Sequence, residues 1–379
     1  MNLVLAAFTA PDATNVVPAL PTLRRHATVH FVDGYMNPAA ANGIDEIHVP
    51  PRPGSRACTR REEAIARATD DAEDRAFAAA WLDELPTFFE RTFTRLAADA
   101  VIVTSKDIES TIAADAARRA GIPRVCVLTP FHEFKYDALF VPHDAPVPYL
   151  VAGAFGRERV ERRGVPSSDV HVVGNPRFDS LLLGSNGPSP HEDPRPIPER
   201  HVVLVASQGL PENRTLWDRL VRYAIHRPDV ELVLRVHPAL GSGAVAEAEA
   251  MVARARFATG GRVSVSRRDL HADLRAASAL VAFTSMVILD ALVLSVPVVL
   301  WSPDGLPARV PFGRDGHALV ARHGGELSAH LDALAPGSPF RESWVRARVG
   351  AHVRYLGDGP ATPRFVETLL AVCERGRSS

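Results

Sequence analysis

The residues of this 379-residue chain that could do chemistry fall into two groups. The first is the loop Thr129-Pro-Phe-His-Glu-Phe-Lys-Tyr-Asp137, which gathers His132, Glu133, Lys135 and Asp137 within six residues. A histidine or a carboxylate there could take a proton from a hydroxyl, and a lysine could neutralise a phosphate or an acidic acceptor. A solvated polar loop is the plainer alternative. Asp12 adds a further carboxylate, in a polar stretch that follows the apolar run at 2–8. The second group is spread over four places, each at or near the end of a short apolar run: Ser207-Gln208-Gly209, His237 before Pro238, Asp269, and Thr284-Ser285. Hydroxyls and free N–H groups at such a turn hold an anionic phosphate well. Asp290 lies five or six residues beyond Thr284, about where a ribose or sugar hydroxyl would need a carboxylate partner. Singly, these residues read as a helix cap, a structural histidine or a solvated carboxylate. Four polar groups delivered by four successive runs point instead to a ligand cleft.

Such a cleft needs strands that end together, and the pattern provides them. Residues 278–301 form one apolar stretch long enough to span a bilayer, but Asp290 in its middle would cost ~2.5–3.5 kcal/mol there. Thr284, Ser285 and Pro297 interrupt it further. The spacing predicts a strand over 279–283, a helix capped by Thr284-Ser285 and running to 294, a stop at Pro297, and a strand over 298–301. The same alternation runs through the rest. Strands are predicted at 2–8, 29–33, 44–49, 100–104, 124–128, 137–141, 149–151 and 170–173. Helices are predicted at 60–96 (broken at Pro86), 108–120, 155–164 and 178–183. Residues 184–200 carry seven prolines and glycines between Gly184 and Pro198 and read as a linker. Beyond it, strands at 201–206, 231–236 and 263–266 alternate with helices at 212–226, 245–257 and 271–277. The expected organisation is therefore α/β: one doubly wound domain over 1–183, the linker 184–200, a second over 201–338, and C-terminal helices over 339–379 that pack back toward the first.

Composition excludes several partner classes. A chain of 46% apolar and 23% charged residues has ample core, and a net charge of −1 provides no basic surface for nucleic acid or anionic membranes. Cys58, Cys126 and Cys373 are far apart and form no metal spacing, and the N-terminus has no basic leader. The expectation is a cytoplasmic protein without a metal or cofactor and without an integral membrane segment. Of 43 basic residues only Lys106 and Lys135 are lysines, a bias that fits a GC-rich coding sequence.

Four segments, in order, resemble one branch of the GT-B glycosyltransferases, that of bacterial UDP-N-acetylglucosamine 2-epimerases and CDP-glycerol or capsule-type transferases. They are Val173-Gly-Asn-Pro-Arg-Phe-Asp179, Arg235-Val-His-Pro238, Phe283-Thr-Ser-Met-Val-Ile-Leu-Asp-Ala291 with Val296-Pro-Val298, and Gly357-Asp-Gly-Pro-Ala-Thr-Pro-Arg364. The resemblance implies two Rossmann-like domains facing a cleft, with the donor nucleotide sugar, UDP- or CDP-linked, on the second. It implies His237 near the diphosphate, Thr284 and Ser285 on phosphate, and Asp290 on a hydroxyl. Ser207, Gln208, Gly209 and Asp269 complete the expected donor site. The epimerases' His-Val-Glu-Ala-Gly is here Phe131-His-Glu-Phe-Lys135, and their Asp-Ser-Gly-Gly is Phe283-Thr-Ser-Met286. Transfer to a hydroxyl acceptor, in surface-polysaccharide or secondary-metabolite synthesis, is therefore favoured over epimerisation, with His132, Glu133 or Asp12 as base and Lys135 at an acceptor or phosphate. A 2-epimerase-like isomerase, a glycerophosphotransferase and a nucleotide-binding protein without turnover remain the alternatives.

Overall fold

A computed structural model describes residues 1–7, 10–33, 46–48, 72–104, 108–128, 130, 147–183, 200–208, 212–237, 240–303 and 310–378. The expected strand at 137–141 and the linker residues 184–199 lie outside these. The chain forms two units, Met1–Ser180 with Val353–Ser379, and Leu181–His352.

In the first unit seven strands, β1 (Asn2–Ala7), β2 (Thr28–Asp33), β3 (Glu46–His48), β4 (Ala100–Val103), β5 (Arg124–Val127), β6 (Tyr149–Val151) and β7 (Val170–Val172), lie in the order β3-β2-β1-β4-β5-β6-β7. Every pairing is parallel. Alternate residues of a strand face opposite sides, and β1 supplies a core to each. Val4 and Ala6 pack with Trp81, Leu82, Leu85, Phe89 and Phe93, whereas Leu3, Leu5 and Ala7 pack with Leu20, Leu23, Phe365, Leu369 and Val372. A parallel sheet buried on both faces needs such uninterrupted apolar runs.

Two expectations for this unit change. The helix Ala72–Arg95 runs through Pro86 without a break. A proline there removes one backbone hydrogen bond and crowds the carbonyl of Leu82, but Leu82, Leu85, Phe89 and Phe93 bury a continuous stripe on either side of it. That burial outweighs the local penalty. The C-terminal return also comes later than 338: the helix Pro339–Arg346 belongs to the second unit and only Val353–Ser379 rejoins the first. Asp179 fastens that return, its Oδ1 accepting from Ala361 N at 2.6 Å and its Oδ2 from Thr362 N at 2.8 Å. A carboxylate on the first free N–H groups of the helix Thr362–Ser378 is a strong cap. Beside it Gly174 has φ 84°, and a Cβ there would lie 2.5 Å from Ala361 Cβ. Two of the four family-like segments thus exist to fit one another within this unit.

The second unit has six parallel strands, β8 (His201–Ala206), β9 (Val230–Arg235), β10 (Val263–Val265), β11 (Ala279–Ala282), β12 (Val298–Trp301) and β13 (Leu319–Ala321), ordered β10-β9-β8-β11-β12-β13. Val203, Val205, Leu232, Leu234, Val281 and Val299 face Leu216, Trp217 and Leu220 of the helix Glu212–His226 and Leu327 and Leu331 of the helix Gly324–Ala333. The 278–301 stretch is the β11-helix-β12 unit that its spacing predicts, with Leu280 paired to Val298. No helix among the described residues is long and apolar enough to cross a membrane.

At the amino end of β8, His201 is buried with Nδ1 2.8 Å from Ser278 Oγ. The Ser278 hydroxyl donates to the Val202 carbonyl at 2.9 Å, so Nδ1 carries the proton and donates to Ser278. Burial, then the Arg227 charge, pushes the His201 pKa down to about 4, against smaller opposing effects of Asp229 and the Leu331 carbonyl. The unfolded chain therefore takes up this proton near the ordinary value of ~6.5, before the folded chain does. Stability from this group is present above that value and falls as pH drops toward 4, by about 2 kcal/mol at pH 5. Urea unfolding at pH 7.5 and pH 5 should show the fall in the wild type and a smaller one in His201→Asn. Equal falls in both would assign the effect to other groups.

Candidate functional site

The strand order of the second unit reverses between β8 and β11, and in open α/β sheets ligands bind outside the carboxyl ends of strands at such a switch point. The two strands end in register, Ala206 opposite Ala282. The residues that follow join across the gap, where Gln208 Oε1 accepts from the Thr284 N–H at 2.8 Å and from its hydroxyl at 3.2 Å. This differs from the expected cap. The helix Val287–Val293 starts with Met286 in the cap position and no side-chain cap, while Ser285 Oγ accepts from Val287 N at 3.4 Å. Thr284 and Ser285 therefore line the turn rather than end the helix, because Gln208 claims the Thr284 donors. Both are half-buried, as is Gln208.

The other expected donor-site residues come to the same edge with different duties. Ser207 is buried, its N–H donating to the Arg235 carbonyl at 2.9 Å and its Oγ accepting from Trp217 Nε1 at 2.9 Å. Its hydroxyl thus anchors the helix that covers β8. His237 follows β9 and is exposed, and its carbonyl accepts from Leu240 N at 3.0 Å. Asp269 caps the helix Leu270–Ala276, with Oδ1 accepting from His271 N at 2.9 Å and from Ala272 N at 3.1 Å. These bonds, that of Ala272 foremost, hold its carboxyl below the usual range. Gly209 lies outside the described residues.

Asp290 is 1% exposed, and its Oδ1 lies 2.9 Å from Nε2 of His271. The carboxylate expected on a hydroxyl is thus joined to an imidazole that keeps 31% of its side chain open. His271 is the residue that sequence reasoning missed. Nothing in the spacing signals it, since the pair forms between the helix that precedes β11 and the helix that follows it. Behind the edge, Arg235 Nη1 donates to Asp273 Oδ2 at 2.9 Å and to the Arg268 carbonyl at 2.7 Å, and Ser266 Oγ donates to the same Asp273 oxygen at 2.6 Å. This network ties the end of β9 to the helix that presents Asp269 and His271.

In the first unit, Asp12 lies in the helix Ala10–Val16 just after β1. His132, Glu133 and Lys135 fall outside the described residues.

No family model and no curated protein matches the sequence. Solved structures do match over nearly the whole chain. A co-structure of S. aureus MnaA with UDP superposes with a TM-score of 0.66 at 15% identity, covering 98% of each chain. UDP-GlcNAc 2-epimerase from Neisseria meningitidis bound to UDP-GlcNAc gives 0.64 at 13%, covering 98% of this chain and 100% of that one. The glycotransferase of kitacinnamycin gives 0.63 at 17%, covering 98% of each. Identities this low speak to architecture alone, and the architecture is clear: the chain has the GT-B fold of two doubly wound parallel α/β units, in the form that resembles the UDP-N-acetylglucosamine 2-epimerases and GT-B glycosyltransferases.

Proposed function

We propose that the chain is a metal-independent glycosyltransferase that moves a sugar from a UDP- or CDP-linked donor to a hydroxyl acceptor, in surface-polysaccharide or secondary-metabolite synthesis. The observation that carries this reading is the Gln208–Thr284 bond across the switch point of the second sheet. It shapes a polar turn where the fold's geometry favours a ligand. Solved structures of the same architecture that contain UDP or UDP-GlcNAc support it. Ser285 would hold the diphosphate with His237 beside it, Thr284 would join it through the donors that Gln208 now holds once the ligand takes them over, and Ser207, Gly209 and Asp269 would shape the surrounding edge.

In the transfer, His132 takes the proton of the acceptor hydroxyl, whose oxygen forms a bond to the anomeric carbon. The bond from that carbon to the diphosphate breaks, and its electron pair leaves with the nucleoside diphosphate. Glu133 and Asp12 are the alternative bases, and Lys135 neutralises an acceptor or phosphate charge. Donors preorganised around the diphosphate can stabilise that leaving charge without a metal.

Calorimetry with UDP and CDP tests the donor site. Losing such contacts costs about 1.5–3 kcal/mol, so Thr284→Ala combined with Ser285→Ala, and separately Gln208→Ala, should weaken binding roughly ten- to a hundredfold. Unchanged affinity in both variants would place the nucleotide elsewhere. The second reading, a 2-epimerase, is favoured by the epimerase structures among the matches. Incubation with UDP-GlcNAc alone separates the two: conversion to the 2-epimer supports the isomerase, whereas no more than slow hydrolysis supports transfer.

A further inference from the structure

We propose that the ribose hydroxyls of the bound nucleotide are read by His271, and that Asp290 is a positioning residue acting through it. The inference rests on the nucleotide reading of this edge. It departs from it in replacing a direct carboxylate contact by an imidazole.

The argument starts from burial. Asp290 is 1% exposed inside the helix Val287–Val293, and its Oδ1 is engaged at 2.9 Å with His271 Nε2. At 1% exposure that carboxylate presents almost no surface to a ligand. His271 keeps 31% of its side chain open and is the second residue of the helix Leu270–Ala276, just after Asp269 at the carboxyl end of β10. That helix packs on β8, one of the two strands at the switch point.

The chemistry of the pair then follows from the proton count. A carboxylate is acceptor-only, so Nε2 carries a proton and donates it to Asp290, and when the ring is neutral Nδ1 keeps a bare lone pair. No partner takes Nδ1 among the described residues. A carboxylate behind a histidine fixes both its tautomer and the direction of its free nitrogen. The outcome is a rigid acceptor, which suits a ribose hydroxyl and does not suit a phosphate oxygen. The position agrees: Asp290 is six residues beyond Thr284, about 9 Å along the chain at helical rise. The Arg235–Asp273 bond holds the same helix against the end of β9. The imidazole is therefore braced from two sides.

The test compares UDP with 2′-deoxy-UDP and 3′-deoxy-UDP by calorimetry on the full chain. A site built around a hydrogen bond rejects the analogue that lacks it, so the wild type should bind UDP about tenfold tighter than at least one analogue. His271→Ala should bring that ratio to about one while leaving affinity for the analogues within about twofold. His271→Ala removes a partly open side chain, and His271→Gln serves as a second variant with a different steric demand. Asp290→Asn should lower the ratio severalfold without abolishing UDP binding, a selective change that a purely structural role would not make.

Three results would overturn the proposal. They are an intact ratio in His271→Ala and His271→Gln, an equal weakening of UDP and both analogues, which would mean a phosphate contact, and a ratio lost in Asp290→Asn but kept in His271→Ala. If UDP binding weakens in Gln208→Ala while the ratio survives in His271→Ala, the nucleotide site stands and this assignment fails. If the wild type binds neither UDP nor CDP, the underlying reading fails with it.

Discussion

Asp273→Ala should destabilise the protein by about 3 kcal/mol, because it strips the charge partner from a largely buried arginine. Asp273 is 4% exposed and receives Arg235 Nη1 and Ser266 Oγ on one oxygen, with Arg268 Nε 4.0 Å from the other. Arg235 is 22% exposed, so water screens it only partly once the carboxylate is gone. Its remaining contact, the Arg268 carbonyl, carries no full charge. Deleting both partners should cost less than the two single losses added together: in Arg235→Leu with Asp273→Leu no charge remains buried, and a double-mutant cycle isolates the coupling. Denaturant unfolding measures all of these. A loss below about 1 kcal/mol for Asp273→Ala would mean that water replaces the carboxylate at little cost. The same variant should also weaken nucleotide binding, because the bridge holds the helix that carries Asp269 and His271 to the strand that leads to His237.

That bridge also marks where sequence reading stops. The strands of the second sheet were legible because parallel strands buried on both faces must be short apolar runs, and His201–Ala206 and Val298–Trp301 stand out as such against their polar ends. The helix Glu212–His226 was equally legible from its periodic apolar face. β13 was not, since Leu319–Ala321 is three residues long and sits between glycines and arginines that dilute its pattern. Pro86 misled because a local breaker rule cannot weigh the core stripe built around it. In the site, the positions of Thr284, Ser207 and Asp290 were legible but their partners were not. Trp217 lies 10 residues from Ser207, Gln208 lies 76 from Thr284, and His271 lies 19 from Asp290. Side-chain direction at a strand end is decided by the neighbouring strand, and strand order is a tertiary property. The late return of the chain at Val353 has the same origin, in the clasp of Asp179 on residues 182 and 183 positions away.

Turnover should fall roughly 10²–10⁴-fold in His132→Ala, the range expected for losing a general base, with donor binding nearly intact. The prediction rests on the sequence from Thr129 to Asp137, in which His132 and Glu133 are consecutive residues that follow β5. An imidazole with the ordinary value of ~6.5 is mostly neutral at pH 7 and ready to accept a proton. A glutamate would need its value raised by burial to serve equally well. The measurement is release of nucleoside diphosphate from the donor in the presence of an acceptor, beside calorimetry of the donor alone. Reduced turnover with unchanged donor affinity separates a base from a residue that merely shapes the site. A loss of tenfold or less in His132→Ala would move the role to Glu133 or Asp12, each testable by Glu133→Gln and Asp12→Asn. Near-normal turnover in all three would remove side-chain base catalysis by this unit. The attacking hydroxyl would then lose its proton to the departing phosphate or to water.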